Sequence, residues 1–262
     1  LTLYGYPSEQ DLANTLRKQR VILDAGCGLG YKAAWFARLA PESLVVAMDF
    51  SDAIYSASER YQDHANIIFV KGDIANTGLR DGVIDMVNCD QVLHHTESPP
   101  RTLHEFYRIT KSDGLLNTYV YAKKALPREL LDEHFREKSK KMSHDEIWAL
   151  SKQLTELGKR LTDLDLKVDV PEIPALGIKA GEQEIQRFIY WNFLKCFWNE
   201  ELGRETSVST NFDWYSPSNA FRYDREEFIG MCENAGWAND FLHSEEACWS
   251  GRFVKGTRKD DS

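Results

Sequence analysis

Apolar runs alternate with stretches of helical period through the first 120 residues of the chain. Val21-Ile22-Leu23 is a short β-branched run that ends in Asp24 and a glycine-rich turn. Residues 31–39 then carry apolar side chains at helical spacing. Residues 44–48 predict a second strand, 53–61 a helix, 67–70 a third strand and 84–88 a fourth. A helix over 100–109 follows, then Gly114 and a fifth strand over 115–121. Strands separated by helices of this length imply a parallel sheet with helices on both faces. Such sheets bind ligands at the carboxyl ends of their strands, where the strand order reverses.

The alternation stops after residue 121, and 126–205 reads as helices. Ser143-x-x-Glu146 has the pattern of a capping box, and Ile147, Leu150, Leu154, Leu157 and Leu161 follow on one helical face. A proline-punctuated loop over 171–181 leads to a second amphipathic helix carrying Ile185, Phe188, Ile189, Phe193 and Phe197. From residue 211 the α/β pattern resumes, with Asp224-x-x-Glu227 opening a helix that Gly236 ends, and short strands over 240–242 and 249–255. The last four residues, Lys-Asp-Asp-Ser, read as a frayed tail. The expected organisation is a doubly wound α/β core over 1–121, a helical insertion after strand five over 122–210, and a C-terminal completion of the core over 211–262.

Composition narrows the function classes. A chain of 262 residues with 42% hydrophobic content can bury a substantial core. A net charge of −9 disfavours a broad nucleic-acid-binding face. No apolar stretch reaches the length of a membrane span. The five cysteines, Cys27, Cys89, Cys196, Cys232 and Cys248, form no CxxC pair and no metal-ligand spacing with histidine. They read as reduced thiols in a cytoplasmic protein with no metal site.

The stretch "VILDAGCGLG" carries the candidate chemistry. A phosphate-binding loop needs a GK[ST] ending, and Gly30-Tyr31-Lys32 does not supply it. A dinucleotide fingerprint is formally met by Gly28–Ala33 with Asp49 downstream. Asp24, however, ends the strand where a pyrophosphate would sit, and like charges there repel. S-adenosylmethionine has no phosphate; it presents an ammonium, a ribose diol, an adenine and a cationic sulfonium. Three acids, Asp24, Asp49 and Asp73, end three successive strands and match the first three groups.

At these positions the chain resembles the class I S-adenosylmethionine-dependent methyltransferases. "LDAGCGLG" is similar to the family's first motif, "VVAMDFS" to its second and "FVKGDIAN" to its third, and residues 84–114 resemble the fourth and fifth. The resemblance implies a Rossmann-like, mostly parallel seven-stranded sheet and S-adenosylmethionine as cofactor. It places Asp24, Gly26, Cys27, Gly28 and Gly30 near the methionine moiety and ribose, Asp49 on the ribose hydroxyls, and Phe50 against the adenine. Asp73 and Ile74 then meet the adenine amino group and its other ring face, and Asp90 and Gln91 the amino-acid end and the sulfonium. The chain departs from the family at "SDGLL", where relatives carry a Pro-Gly-Gly turn.

Methyl transfer from a sulfonium is an in-line displacement that needs positioning and water exclusion, with a general base for some acceptors. His95 in "VLHHT" is the candidate base. The place after strand four reads "CDQV" instead of the [DN]-P-P-[YF] of nucleic-acid base methylases. The expected acceptor is therefore a small molecule, under a helical lid, with Asp213, Trp214 and Tyr215 of the loop "NFDWYSP" as candidate substrate contacts. A peptide or protein methyltransferase, a non-catalytic cofactor-binding module and an NAD-dependent oxidoreductase are the alternatives. The sequence indicates no oligomeric state.

Overall fold

The structure is a computed structural model that describes residues 1–256. The expected frayed tail at the C-terminus lies outside the described residues. The chain divides into two compact units, Leu1–Ala122 joined by the stretch from Phe221 onward, and Lys123–Ala220. Among the described residues, no helix is long and apolar enough to cross a membrane.

The first unit opens with a 3-10 turn at Thr2–Tyr4 and helix α1 (Glu9–Leu16), capped by the Ser8 side chain. Then come β1 (Val21–Ala25), α2 (Tyr31–Leu39), β2 (Leu44–Asp49), α3 (Ala53–Arg60), β3 (Ile67–Lys71), β4 (Ile84–Cys89), α4 (Pro99–Ile109) and β5 (Thr110–Ala122). The chain leaves for the second unit and returns with β8 (Arg222–Tyr223), α9 (Arg225–Asn234), β9 (Trp237–Ser244) and β10 (Cys248–Lys255). Asp224 and Glu227 close the expected capping box at the start of α9.

The main path of the sheet runs β3-β2-β1-β4-β5-β10-β9, with β8 adding a two-residue parallel pairing to β5. The path carries the expected seven strands, and β10 runs antiparallel to both its neighbours. Strand alternation divides the core. Ile22, Val45, Ala47 and Met86 face one cluster with Leu16 and Phe36, while Leu23, Val46, Met48 and Val87 face another with Phe106, Phe228 and Trp237. Successive side chains on a strand point to opposite faces, so one apolar run supplies both layers.

Strand β5 is longer than the sequence implied. It begins at Thr110, opposite Ile84, and its register then slips so that Leu115 pairs with Met86. The expected turn at 112–114 survives as this irregularity, with Asp113 at φ 60°.

The second unit contains α5 (Leu126–Ser139), α6 (His144–Asp163), β6 (Lys167–Val170), β7 (Gly181–Glu184), α7 (Ile185–Asn192) and α8 (Gly203–Tyr215). The Ser143–Glu146 capping box forms as read. Three expectations are corrected here. The proline loop connects an antiparallel pair, β6 and β7, that the all-helical reading missed; Val168 and Val170 alternate with Lys167 and Asp169, which is strand period. Helix α7 stops at Asn192, leaving Phe193 and Phe197 outside it. The Asn211 side chain takes up the Phe197 backbone, accepting from its N–H at 2.8 Å and donating to its carbonyl at 3.0 Å. Residues 211–215 are the last turn of α8 and not a loop.

Gly158 lies inside α6, where a Cβ would fall 2.3 Å from the Cys196 carbonyl oxygen. Gly230 lies inside α9 with nothing within 4 Å of that position. Gly158→Ala is expected to destabilise the protein by roughly 1–3 kcal/mol through overpacking, whereas Gly230→Ala should stabilise it by up to about 1 kcal/mol through helix propensity. Denaturant melts of both variants check the contrast, and equal shifts would contradict the close packing at Gly158.

Candidate functional site

The strand order reverses between β1 and β4, because the chain steps from β1 through β2 to β3 on one side and places β4 on the other. A crevice at the carboxyl ends of these strands is where an α/β sheet binds ligands. Asp24 sits there on β1, 3% exposed and in register with Asn88 of β4. One carboxylate oxygen accepts from the Asn88 amide at 2.9 Å. The other is buried with no hydrogen-bond partner. Burial pushes the Asp24 carboxyl up from 3.8 to about 6, with the Asp90 charge adding to the rise and the Asn88 amide, the Lys32 ammonium and the Ala33 backbone N–H opposing it.

The glycine turn joins β1 to α2. Gly26, Gly28 and Gly30 all have positive φ, at 78°, 51° and 78°. A Cβ on Gly26 would strike Val92 at 2.5 Å, and one on Gly30 would crowd Ala57 at 3.1 Å, so both serve internal packing. Only Gly28 of the three faces open space. Its N–H donates to Asp49 at 2.8 Å, and the other Asp49 oxygen accepts from the Ser51 backbone and hydroxyl at 2.8 and 2.7 Å. Asp49 thus ties the glycine turn to the end of β2 before any ligand arrives. Cys27 lies between, half-buried; burial raises its thiol pKa, with Asp24 and Asp49 adding to it, so it stays protonated.

Asp90, just past β4, is held by two residues the sequence reading missed. Its carboxylate accepts from the Tyr4 hydroxyl and pairs with the Lys32 ammonium. Burial raises the Tyr4 pKa well above 10, and the Asp90 charge raises it further, so the phenol remains the donor. Lys32 was legible as the only cation next to the glycines; Tyr4 lies in an N-terminal segment without periodic signal. Gln91 follows at φ 63°, a left-handed backbone costly for a non-glycine residue.

Asp73 is exposed beyond β3, with one oxygen accepting from the Ala75 N–H at 2.8 Å. Ile74 beside it is 6% exposed and belongs to the core. Phe50, at the end of β2, is 79% exposed, an apolar ring offered to solvent at the mouth of the strand ends.

His94 and His95 lie on a short 3-10 turn after β4. Their rings are 4.1 Å apart by centroid, and Tyr121 lies 3.8 Å from His94 and 5.5 Å from His95. His94 is fully buried with Nε2 unpartnered, and burial, reinforced by His95, drives its pKa well below 6.5. It is a neutral imidazole packed behind the half-buried His95. Among the described residues, no three His, Cys, Asp or Glu side chains gather as a metal-holding group.

The candidate substrate residues lie in the helical unit. The helical period of α8 turns Ser207, Val208, Asn211, Trp214 and Tyr215 inward and leaves Asp213 exposed. Trp214 and Tyr215 are therefore interior residues of that unit, while Asp213 stays at its surface, its carboxyl raised by partial burial against the opposing pull of the Lys195 ammonium.

Residues 23–118 match the family described as a methyltransferase domain. A malonyl-[acyl-carrier protein] O-methyltransferase of Pectobacterium atrosepticum is 32% identical over 95 residues, covering 36% of this chain and 36% of the relative. An uncharacterised chloroplastic methyltransferase of Arabidopsis thaliana is 28% identical over 109 residues, covering 38% of this chain and 31% of the relative. The chain spans between 25% and 47% of the length of the first curated relatives it matches. A solved structure from Listeria monocytogenes, provisionally described as an S-adenosylmethionine-dependent methyltransferase, aligns over 93% of this chain and 97% of its own. Its TM-score is 0.54 at 13% identity, a likeness of fold.

The raised Asp24 pKa has a consequence for the ligand-free protein. The folded state holds the proton more tightly than the unfolded chain, so stability falls as pH rises from about 4 through about 6. The full change is of order 3 kcal/mol. Asp24→Asn should flatten this part of the profile in urea melts between pH 4 and 7; an unaltered slope would remove Asp24 as its source.

Proposed function

We propose that this protein is an S-adenosylmethionine-dependent methyltransferase that methylates a small-molecule acceptor, a reading supported by the match of residues 23–118 to a methyltransferase-domain family. The observation that carries the cofactor assignment is Asp24, a buried carboxylate with one oxygen satisfied by Asn88 and the other without a partner. A primary ammonium supplies both the missing donor and the charge that offsets desolvation. A pyrophosphate would set negative charge against a carboxylate already starved of solvent, which disfavours the dinucleotide reading.

Bound S-adenosylmethionine supplies an electrophilic methyl carbon on a cationic sulfur. The chain's own residues bind and orient. Asp24 takes the ammonium. Gly28 gives room for close approach, with Gly26, Cys27 and Gly30 holding the turn that presents it. Asp49 takes the ribose hydroxyls with the lone pairs its loop contacts leave unused. Phe50 and Ile74 flank the adenine, and the free Asp73 oxygen accepts from its amino group. Asp90 and Gln91 border the amino-acid end, Asp90 held in place by Tyr4 and Lys32. His95 accepts the acceptor's proton where the nucleophile is a hydroxyl or an ammonium, backed by the neutral His94 ring. Two facts support a small acceptor: the net charge of −9, and the lack of an [DN]-P-P-[YF] motif after β4. A curated relative over this region is an O-methyltransferase for malonyl-[acyl-carrier protein].

S-adenosylhomocysteine at about a hundred times its dissociation constant should stabilise the protein by about 2.7 kcal/mol in a thermal-shift assay, and NAD should not. A larger response to NAD overturns the assignment. Asp49→Ala should weaken S-adenosylhomocysteine about a hundredfold by calorimetry, from the loss of two charge-assisted bonds. Binding needs ionised Asp24, so affinity should fall about tenfold per pH unit below about 6 and level off above it. A flat profile would count against the ammonium contact.

A further inference from the structure

A zwitterion that docks on Asp24 brings an anion with it. In S-adenosylmethionine the ammonium and the carboxylate sit on one carbon, so an ammonium at the bare Asp24 oxygen sets the carboxylate beside that acid. Asp90, just past β4, lies close enough for its charge to push the Asp24 carboxyl further up. Asp49 is a third acid at the strand ends, and with Asp24 it raises the Cys27 thiol between them. Like charges repel strongly where water is scarce, so the cofactor's carboxylate needs a cation within this group of acids.

Lys32 is in that position. Its ammonium pairs with one oxygen of Asp90, and its charge acts on Asp24 as well. The Asp90 side chain is 5% exposed but that of Lys32 is 41% exposed, so the ammonium reaches the acids and stays open to an incoming group. An ammonium carries three donors, and pairing with Asp90 does not exhaust them. Nor does Asp90 depend on Lys32 alone, because the Tyr4 hydroxyl donates to its other oxygen. Arg60 also approaches this end of α2, but it donates to the Tyr31 hydroxyl at 2.6 Å and lies 5.3 Å from the centroid of that ring.

Helix α2 gains nothing from a lysine at this place. Lys32 is its second residue, where the macrodipole is positive and disfavours a cation. Gly30, the N-cap residue, supplies no side-chain cap, and the first turn carries no acid. The start of α2 is thus positive twice over, from the helix end and from Lys32, which suits an anion. Gly28, in the turn just before it, faces open space.

We propose that Lys32 holds the α-carboxylate of the cofactor, donating to it while keeping its pair with Asp90. Charges then alternate from Asp24 through the ligand's ammonium and carboxylate to Lys32. This role rests on the cofactor reading above. The competing role for Lys32 is only to neutralise Asp90.

S-adenosylhomocysteine and its decarboxylated counterpart, S-adenosyl-3-thiopropylamine, share every group except the carboxylate. Both are titrated by calorimetry into the full chain at about pH 8, where Asp24 is ionised and both amines are protonated. S-adenosylhomocysteine should bind at least about tenfold more tightly, the worth of one hydrogen bond to a charged group. Lys32→Met should bring the two affinities within about twofold of each other. A lysine that only neutralises Asp90 would also lose preference here, through repulsion from the bare Asp90 carboxylate. Lys32→Met combined with Asp90→Asn removes that repulsion and should still show no preference. Equal affinities in the wild type, an unchanged preference in Lys32→Met or a preference restored in the double variant would each overturn the contact. Should Lys32→Met fail to fold, the double variant, which leaves no bare acid at that place, decides alone. Binding of both probes to the wild type without preference removes Lys32 and leaves the cofactor reading standing, whereas binding of neither removes both.

Discussion

A carboxylate deprived of water on the central strand governs the crevice at the carboxyl ends of the sheet. Asp24 has strands on both sides and is 3% exposed, so every group near it either supplies a donor or adds to its cost. Asn88 donates from the next strand. Asp90, a second acid close by, is neutralised by Lys32 and tied to the Tyr4 phenol, which limits the repulsion it adds. Asp49 spends its charge on the glycine turn and Ser51. What stays open is one oxygen of Asp24.

The glycine turn shows how fold and binding share residues. Gly26 and Gly30 are required by Val92 and Ala57, which occupy the space a side chain would need. Gly28 alone keeps its Cβ direction clear. A motif that looks like three equivalent ligand contacts is two packing contacts around one opening.

The helical unit repeats the theme with opposite sign. Its interior holds Arg128, Arg136 and Lys195, with Asp132 paired to Arg128 and the Asp213 carboxylate acting on Lys195. Buried polar groups elsewhere in the unit are satisfied with care. Asn211, for example, bonds the Phe197 backbone and the Thr155 hydroxyl. Against that background the Lys195 ammonium, with one hydrogen bond, and the Tyr215 hydroxyl, with none, stand out.

Much of the core was legible from periodicity because its strands and helices are short and cleanly bounded. Helix α2 spans Tyr31–Leu39, the residues read from the sequence, and both capping boxes formed. The failures share a cause. Phe193 and Phe197 continue the spacing of α7 in sequence, yet Asn211, from a distant helix, claims the backbone groups a continuing helix would use. "NFDWYSP" looks like a loop from its Asp, Ser and Pro, but burial of Asn211, Trp214 and Tyr215 on one face of α8 outweighs local propensity. Local pattern therefore determined the strand order's raw material, the glycine turn and the three strand-end acids. Only the tertiary structure decided that Tyr4 and Lys32 clamp Asp90, that one oxygen of Asp24 is left bare, and that Lys195 is buried against aromatic rings. Those facts depend on desolvation and on partners far along the chain, which no local window contains.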